Sequence, residues 1–290
     1  MDASKAFDRF APILFVLIWS TGWIVPRYSN PEADPLIFLA VRFACAGALM
    51  LAYALASGIA WPARTTSSHA IASGVLLHSL YLSCVWWAVA QGVPSTLSAL
   101  LATVQPILTA LVAPKLLGEP LSARKAAGVA VGFAGLVLTL SPKLFGEGGL
   151  SAPPWPLAVN FLGMLGITAG AIYQKRFLAS GDLRAIAPLQ YLGATAAMVP
   201  VALLFAEPRF GLTPPVVGAL AWAVLALSIG AIGLLLLLIR HGEASRAAQL
   251  LNLVPPTAAV QAALLFGERL SAVQVAGFAV TVVGVLMARA

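Results

Sequence analysis

The stretch GEPLSARKAAGVAVG, residues 118–132, recurs as GERLSAVQVAGFAVT at residues 267–281. The two copies share Gly, Glu, Leu, Ser and Ala at the same places, followed by Ala-Gly and then Ala-Val. Because the copies lie about half a chain apart, we predict that the chain is built from two related units. Within each copy, the phrase is predicted to end one helix and start the next, with Ser122 or Ser271 as the N-cap.

The similarity between the halves extends well before the repeated phrase. LLATVQP at residues 100–106 aligns with LLNLVPP at residues 250–256, which places Pro106 opposite Pro256. Earlier still, Gly92 aligns with Gly242. We therefore divide the chain into a first repeat over residues 1–145 and a second over residues 146–290.

The composition excludes a water-soluble globular protein. Of the 290 residues, 60% are hydrophobic and only 9% are charged, and the mean hydropathy is +0.94. Soluble domains carry about 25% charged residues. The net charge of +7 is spread over the ends of apolar runs and forms no basic patch with interleaved aromatic residues, so we expect no nucleic-acid partner. The chain is predicted to be an integral membrane protein in contact with lipid.

Apolar runs long enough to cross a bilayer, which requires about 20 residues, occur ten times. The first is long and has no small-residue cleavage site, so it is interpreted as a retained helix rather than a signal peptide. The predicted spans are 11–28, 35–56, 70–91, 95–117, 123–141, 156–174, 185–205, 214–238, 244–266 and 271–288.

The basic residues indicate the orientation of these spans. With a cytoplasmic N-terminus, twelve of the 17 Lys and Arg residues fall on the inner side and Arg42 falls within the second span. The remaining four lie on the outer side, and these are Arg27, Lys143, Arg209 and Arg269. Because cytoplasmic loops carry the excess of Lys and Arg, both termini are predicted to be cytoplasmic.

A repeat of five spans has a geometric consequence. Because five is odd, the second copy must cross the membrane in the opposite direction to the first. Inverted repeats of this kind are typical of secondary transporters, whose substrate sites lie near the midplane between the halves. The predicted fold is thus an all-α membrane protein of ten transmembrane helices, arranged as two inverted five-helix repeats around a central cavity.

The ten-span duplication, the Pro in the fourth span of each half, and the Gly-Glu-x-Leu-Ser phrase before a Gly-rich fifth span resemble the EamA-type transporters of the drug/metabolite transporter superfamily. The resemblance covers essentially the whole chain. It implies location in the bacterial inner membrane and export of amino acids or related metabolites. The aromatic-rich first half resembles the exporters of aromatic amino acids within that group.

His78 and Tyr81 are the first candidates for a transport site. His78 is the only residue within a predicted span that titrates near neutral pH, and Tyr81 shares its helical face. We favour a pair that lines the cavity and binds substrate or handles a proton. The alternative is a hydrogen-bonded contact between helices with no role in transport. The equivalent stretch of the second half, around Ser228, is aliphatic, so the polar lining is expected to belong to the first half.

Other candidates surround the aligned prolines and the aromatic residues. Pro106 and Pro256 are expected to bend the fourth and ninth helices and expose backbone carbonyls, as kink or gating elements. Polar amides and aromatic rings are predicted to contribute to the cavity, and these are Gln105, Gln249, Asn252, Trp19 and Tyr173. For Arg42 we favour snorkelling or structural pairing over attraction of a substrate carboxylate.

The sequence predicts no catalytic residue, metal site or cofactor, and no ATP-binding motif is present. The two cysteines are interpreted as buried hydrophobes. The small-residue patterns Gly128-x-x-x-Gly132 and Gly166-x-x-x-Gly170 favour packing within one chain over dimerisation, so a monomer is expected.

Three functions remain to be distinguished. The favoured one is a secondary exporter of amino acids or related metabolites, with a small molecule as its partner. The alternatives are an uncoupled, channel-like facilitator and an exporter of another solute, such as a nucleobase or a drug. An intramembrane enzyme is disfavoured because no nucleophile, base or metal cluster is evident.

Overall fold

The computed structural model describes residues 3–118, 122–145, 154–238, 250, 253–267 and 271–289. All regular secondary structure within those ranges is helical, and an isolated antiparallel bridge joins Ala33 to Phe210. The protein is therefore all-α, as its composition predicts.

The described part of the first half contains eight α-helices. They are α1 (Ala3–Ser20), α2 (Val25–Ser29), α3 (Pro35–Ala56), α4 (Arg64–Gly74), α5 (Tyr81–Ala90), α6 (Ser95–Leu101), α7 (Val104–Leu117) and α8 (Ala123–Phe145). A 3₁₀ turn, Thr21–Trp23, joins α1 to α2, and a π-helical segment, Val75–Leu80, joins α4 to α5.

The described part of the second half contains six helices. They are α9 (Pro154–Phe177), α10 (Leu183–Phe205), α11 (Pro214–Ala221), α12 (Ala231–Leu238), α13 (Val254–Phe266) and α14 (Ala272–Arg289). A second π-helical segment, Trp222–Gly230, joins α11 to α12.

Six described helical stretches are long and apolar enough to cross a membrane. They are Pro35–Ala56, Arg64–Ala90, Ser95–Val112, Pro154–Phe177, Leu183–Phe205 and Pro214–Leu234. Shorter apolar helical stretches cover Phe10–Trp23, Thr257–Phe266 and Ala272–Met287. The protein is thus built for a membrane, whereas the count of ten spans stays a prediction, since part of the ninth, 244–266, lies outside the described residues.

The third helical stretch starts earlier than predicted, at Arg64 rather than at residue 70. Residues 64–69, Arg-Thr-Thr-Ser-Ser-His, are too polar for an apolar run, so the hydropathy pattern places them in a loop. Polar side chains are nevertheless compatible with the end of a membrane helix, where they reach the headgroup region. Backbone hydrogen bonding then extends the helix beyond its apolar part.

The repeated phrase connects helices as predicted. Gly118 follows α7 with φ of 68°, and Gly267 follows α13 with φ of 65°. Glycine is favoured at such left-handed positions because it has no Cβ. The Ser122 hydroxyl then accepts a hydrogen bond from the Lys125 N–H, and the Ser271 hydroxyl accepts one from the Gln274 N–H. The predicted N-caps are confirmed in both copies.

Glycines also set the closest approaches between helices. A Cβ on Gly284 of α14 would meet the backbone of Gly132 and Gly128 on α8, and Gly166 and Gly170 of α9 lie against Leu80 and Leu77. The small-residue patterns therefore serve packing within the chain, as predicted.

The main apolar core lies between the two halves. Phe38, Phe43 and Trp86 of the first half are fully buried there together with Met164 and Tyr191 of the second half. Helix α3 packs along α10 and α8 packs along α14, so the halves share one core.

Candidate functional site

A charged side chain lies in the middle of this shared core. Arg42 is the eighth residue of α3, and only 5% of its surface is exposed. Its Nε and Nη2 both donate to the Ser228 Oγ over 3.3 Å. The guanidinium carbon also lies 5.6 Å from the ring centroid of Trp86. Arg42 therefore does not snorkel toward a loop, and its structural pairing is with a membrane-embedded hydroxyl.

Ser228 lies on the second π-helical segment, and its own hydroxyl donates to the Ala223 carbonyl over 3.0 Å. The alignment that pairs Pro106 with Pro256 pairs Ser228 with His78, which lies on the first π-helical segment. π-Helical segments are rare and are frequent at functional sites. The expectation that the polar lining belongs to the first half alone is wrong, because Ser228 holds the Arg42 side chain.

His78 packs between aromatic rings in the same region. Its ring stacks on Tyr191 of α10, with centroids 4.7 Å apart and an interplanar angle of 19°. Phe43 contacts both rings at centroid distances of 6.1 Å and 6.0 Å. Tyr81 follows His78 by about one helical turn, and its ring packs against the same core. The polar cluster, defined as Arg42, His78, Tyr81, Tyr191 and Ser228, thus joins three helices of the first half to two of the second.

Two donors beside this cluster have no acceptor among the described residues. These are the Arg42 Nη1 and the indole Nε1 of Trp86, both buried. Trp86 is completely buried and packs on Phe38, with ring centroids 5.3 Å apart. The polar cluster is accordingly rich in donors and short of acceptors.

The contacts described for Trp19 and Tyr173 are made with residues outside the polar cluster. Trp19 is partly buried and packs against Phe15, with ring centroids 5.1 Å apart. The hydroxyl of Tyr173 pairs with Nδ1 of His69 at 2.7 Å, nearer the end of the molecule where α4 begins. Gln105 is partly buried near the start of α7. Gln249 and Asn252 lie outside the described residues.

The aligned prolines do not bend the middle of a helix. Pro106 is the third residue of α7 and Pro256 the third residue of α13. Proline is tolerated in the first turn because the N–H that it lacks has no helical partner there. The interruption precedes Pro106, at Ala102 and Thr103 between α6 and α7. The helix is thus interrupted where the prolines predict, although by a break rather than a kink.

A set of loop contacts joins the segment before α3 to the segment after α10. We call residues 30–34 and 207–211 the loop clasp. The Asp34 carboxylate caps α3 and accepts from the Glu207 N–H over 3.1 Å, and the Asp34 N–H donates to the Arg209 carbonyl over 2.7 Å. Phe210 of the clasp lies 6.5 Å from Phe38, the residue that packs on Trp86. The aromatic rings of Phe210, Phe38 and Trp86 therefore lie in a row between the loop clasp and the Arg42 guanidinium.

Known proteins share this architecture. The profile of the EamA-like transporter family matches residues 10–141 and 154–290. The chain belongs to the EamA-like transporter family. The inner membrane transporter YedA of Escherichia coli K12 is 29% identical over 288 residues, covering 97% of this chain and 92% of that protein. A Salmonella typhimurium protein named a probable amino-acid metabolite efflux pump is 23% identical, covering 96% and 93%. One crystal structure of another protein, 19% identical, superposes with a TM-score of 0.63 and 96% coverage of each chain, which shows the fold.

For this EamA-like transporter, the family and its relatives establish transport rather than enzymatic catalysis. The sequence predicts His78 and Tyr81 as site residues but does not predict a site role for Arg42, Trp86, Tyr191 or Ser228. The sequence feature that points to Ser228 as a site residue is its alignment with His78. For Arg42 the signal is a lone charge within an apolar span, although its partner is 186 residues away along the chain.

Proposed function

We propose that this EamA-like chain is a secondary transporter that exports amino acids or related small metabolites by alternating access. The observation that supports the proposal is the polar cluster, a buried cation and an imidazole shared between two halves of a membrane protein. Polar and ionisable groups are costly in a membrane and are mostly kept for function. The name of the Salmonella relative points to the same class of substrate.

Alternating access follows from the proposed arrangement of two inverted five-span repeats, residues 1–145 and 146–290. With both termini cytoplasmic, the loop clasp faces the outer side and closes the path from the polar cluster to that side. Export then requires the contacts of Asp34 and Phe210 to open while the opposite end closes. Such exchange is favoured when two similar halves pack against each other in two nearly equivalent ways.

Solute counterflow in proteoliposomes tests this function. Vesicles with the purified protein are preloaded with one unlabelled amino acid, nucleobase or sugar, and accumulation of the labelled solute is compared with protein-free vesicles. We expect accumulation for at least one amino acid. Accumulation of nucleobases or sugars alone would show that the substrates belong to that class and not to the amino acids. No accumulation of any solute would contradict the proposed transport function.

The same vesicle assay, repeated with the accumulated amino acid in the presence and absence of an imposed pH gradient, separates the coupled exporter from the uncoupled facilitator. In a proton-coupled exporter, net movement of the amino acid follows the gradient. If the gradient leaves the net rate unchanged, the facilitator is the correct alternative and proton handling at His78 is wrong.

A further inference from the structure

The hydrogen-bond donors at the polar cluster exceed the acceptors around them. A guanidinium carries five N–H donors and no acceptor, and an indole carries one donor. At Arg42, Nε and Nη2 share the Ser228 hydroxyl, whereas Nη1 is buried without an acceptor among the described residues. The Trp86 Nε1 is also buried without an acceptor among the described residues. The guanidinium carbon of Arg42 lies 5.6 Å from the centroid of the Trp86 ring. Two buried donors on adjacent side chains therefore remain without an acceptor among the described residues.

The charge of Arg42 has no counter-ion among the described residues either. The described ion pairs join Arg184 to Asp182 and Arg209 to Glu207, both at helix ends. Contact with an aromatic ring and one hydroxyl compensates only part of the cost of burying a cation. A ligand with a negative charge and two acceptor oxygens would supply what the site lacks.

We infer that Arg42 and Trp86 bind the carboxylate of the transported solute. A guanidinium presents paired N–H groups that match a carboxylate, and such charge-assisted bonds are about twice as strong as neutral ones. The rings of Phe43, His78 and Tyr191 pack on one another in the same core and supply an apolar surface for the body of the solute. This inference rests on the proposed transport function and specifies the chemistry of its substrate.

A second consequence concerns the amino group of an amino acid. The polar cluster contains no carboxylate that could pair with an ammonium group, and the buried positive charge of Arg42 repels such a group. The carboxylate of the solute is thus the required group, and its ammonium is dispensable. A purely structural Arg42 that joins α3 to the second π-helical segment would show no such preference.

Ligand-induced thermal stabilisation of the detergent-solubilised protein tests the inference with three probes that share one ring. L-Phenylalanine carries both charged groups, 3-phenylpropionate only the carboxylate, and phenethylamine only the ammonium. We expect the first two to raise the unfolding temperature of the wild-type protein and phenethylamine to leave it unchanged. Stabilisation by phenethylamine as strong as that by 3-phenylpropionate, or by none of the three, would overturn the inference.

Variants of Arg42 test whether the preference for a carboxylate depends on this side chain. Arg42→Gln is expected to weaken binding of 3-phenylpropionate by roughly tenfold or more, and Arg42→Lys, which keeps the charge without the paired N–H groups, by less. Arg27→Gln is the matched control, because Arg27 also lies over an aromatic ring, Phe266 at 4.9 Å, but is exposed. Monodispersity on size exclusion checks folding.

The outcomes separate this inference from the proposed function. Unchanged carboxylate binding in both Arg42 variants would overturn the role of Arg42, whatever the counterflow results. Carboxylate binding that depends on Arg42, in a protein that shows no counterflow of any solute, would support the inference and contradict transport.

Discussion

Arg42 is the residue that most changes the interpretation of the sequence. Hydropathy identifies a single charge within an apolar span, and snorkelling is the common outcome for such a residue. Snorkelling requires a polar region within reach of the side chain. Arg42 is instead surrounded by Trp86, Ser228 and the rings next to His78, so its charge stays in the core. Only the packing of two distant chain segments determines this result.

Ser228→Ala tests how much the guanidinium depends on its hydroxyl partner. Removing the Oγ leaves Nε and Nη2 of Arg42 without their acceptor, which is expected to destabilise the protein by about 1–3 kcal/mol. The measurement is the thermal unfolding midpoint in detergent.

Ser83→Ala is the matched control for Ser228→Ala. The Ser83 hydroxyl donates to the Leu80 carbonyl of its own helical stretch and does not hold a buried charge, so its loss should change stability by less than about 0.5 kcal/mol. Equal midpoints for the two variants would show that Ser228 does not stabilise the buried guanidinium.

His78 can be tested for chemistry and packing separately. His78→Phe keeps a ring that can stack on Tyr191 but removes both nitrogens, whereas His78→Ala removes the ring as well. We expect both variants to lower the initial counterflow rate by roughly tenfold or more, the size of one lost hydrogen bond to a charged or polar solute group.

Tyr81→Phe, which removes only a hydroxyl, is expected to impair counterflow in the same direction. Wild-type rates in His78→Phe combined with slow transport by His78→Ala would show that His78 contributes only the packing of its ring. Wild-type rates in both His78→Phe and Tyr81→Phe would place the transport site elsewhere.

At the scale of the elements, the sequence predicts the helices and their connections better than their interruptions. The Gly that opens each repeated phrase, four residues before its Ser, predicts the positive φ values of Gly118 and Gly267. This signal is local in the sequence. The π-helical segments Val75–Leu80 and Trp222–Gly230 have no such signal, because isolated polar residues such as His78 and Ser228 in an apolar run do not mark a change in helical hydrogen bonding. Their hydrogen bonding depends on the neighbouring helices that accept the wider turns.

The crossing of α4 and α10 is an element contact that is sensitive to added volume. A Cβ on Gly74 would meet the backbone of Gln190, and a Cβ on Gly193 would meet the backbone of Ile71. Since backbone cannot move aside as a side chain can, Gly74→Ala must separate the two helices. We expect a loss of about 1–3 kcal/mol in stability, measured as the unfolding midpoint in detergent.

Gly218→Ala is the comparison for this crossing. Nothing lies within 4 Å of its added Cβ, and alanine is the better helix former, so stability should be unchanged or higher. A Gly74→Ala protein as stable as the Gly218→Ala protein would contradict the close crossing.

At the scale of the whole molecule, the polar cluster and the loop clasp both join the two halves. The duplication visible in the sequence predicts two related units, and the charges of the loops predict their orientation. Neither signal predicts which residues of one half contact the other, since Asp34 and Glu207, or Arg42 and Ser228, are far apart along the chain. These contacts depend on how the halves dock, and docking leaves no local pattern in the sequence.

The central claim is that solute reaches the polar cluster by movement of the two halves, and this requires the loop clasp to open. Ala33 and Phe210 form a bridge pair across the clasp, and residues paired in this way lie within the distance that a disulfide spans. The variant Ala33→Cys/Phe210→Cys, with the exposed Cys45 replaced by Ala, can therefore lock the clasp without distorting it.

Counterflow of labelled L-phenylalanine by this variant under oxidising and reducing conditions tests the claim most directly. The single Ala33→Cys variant in the same Cys45→Ala background controls for oxidation elsewhere. We predict that the oxidised double variant loses counterflow, that reduction restores it, and that the single variant is active under both conditions. Full counterflow by the completely cross-linked protein would contradict alternating access through the clasp.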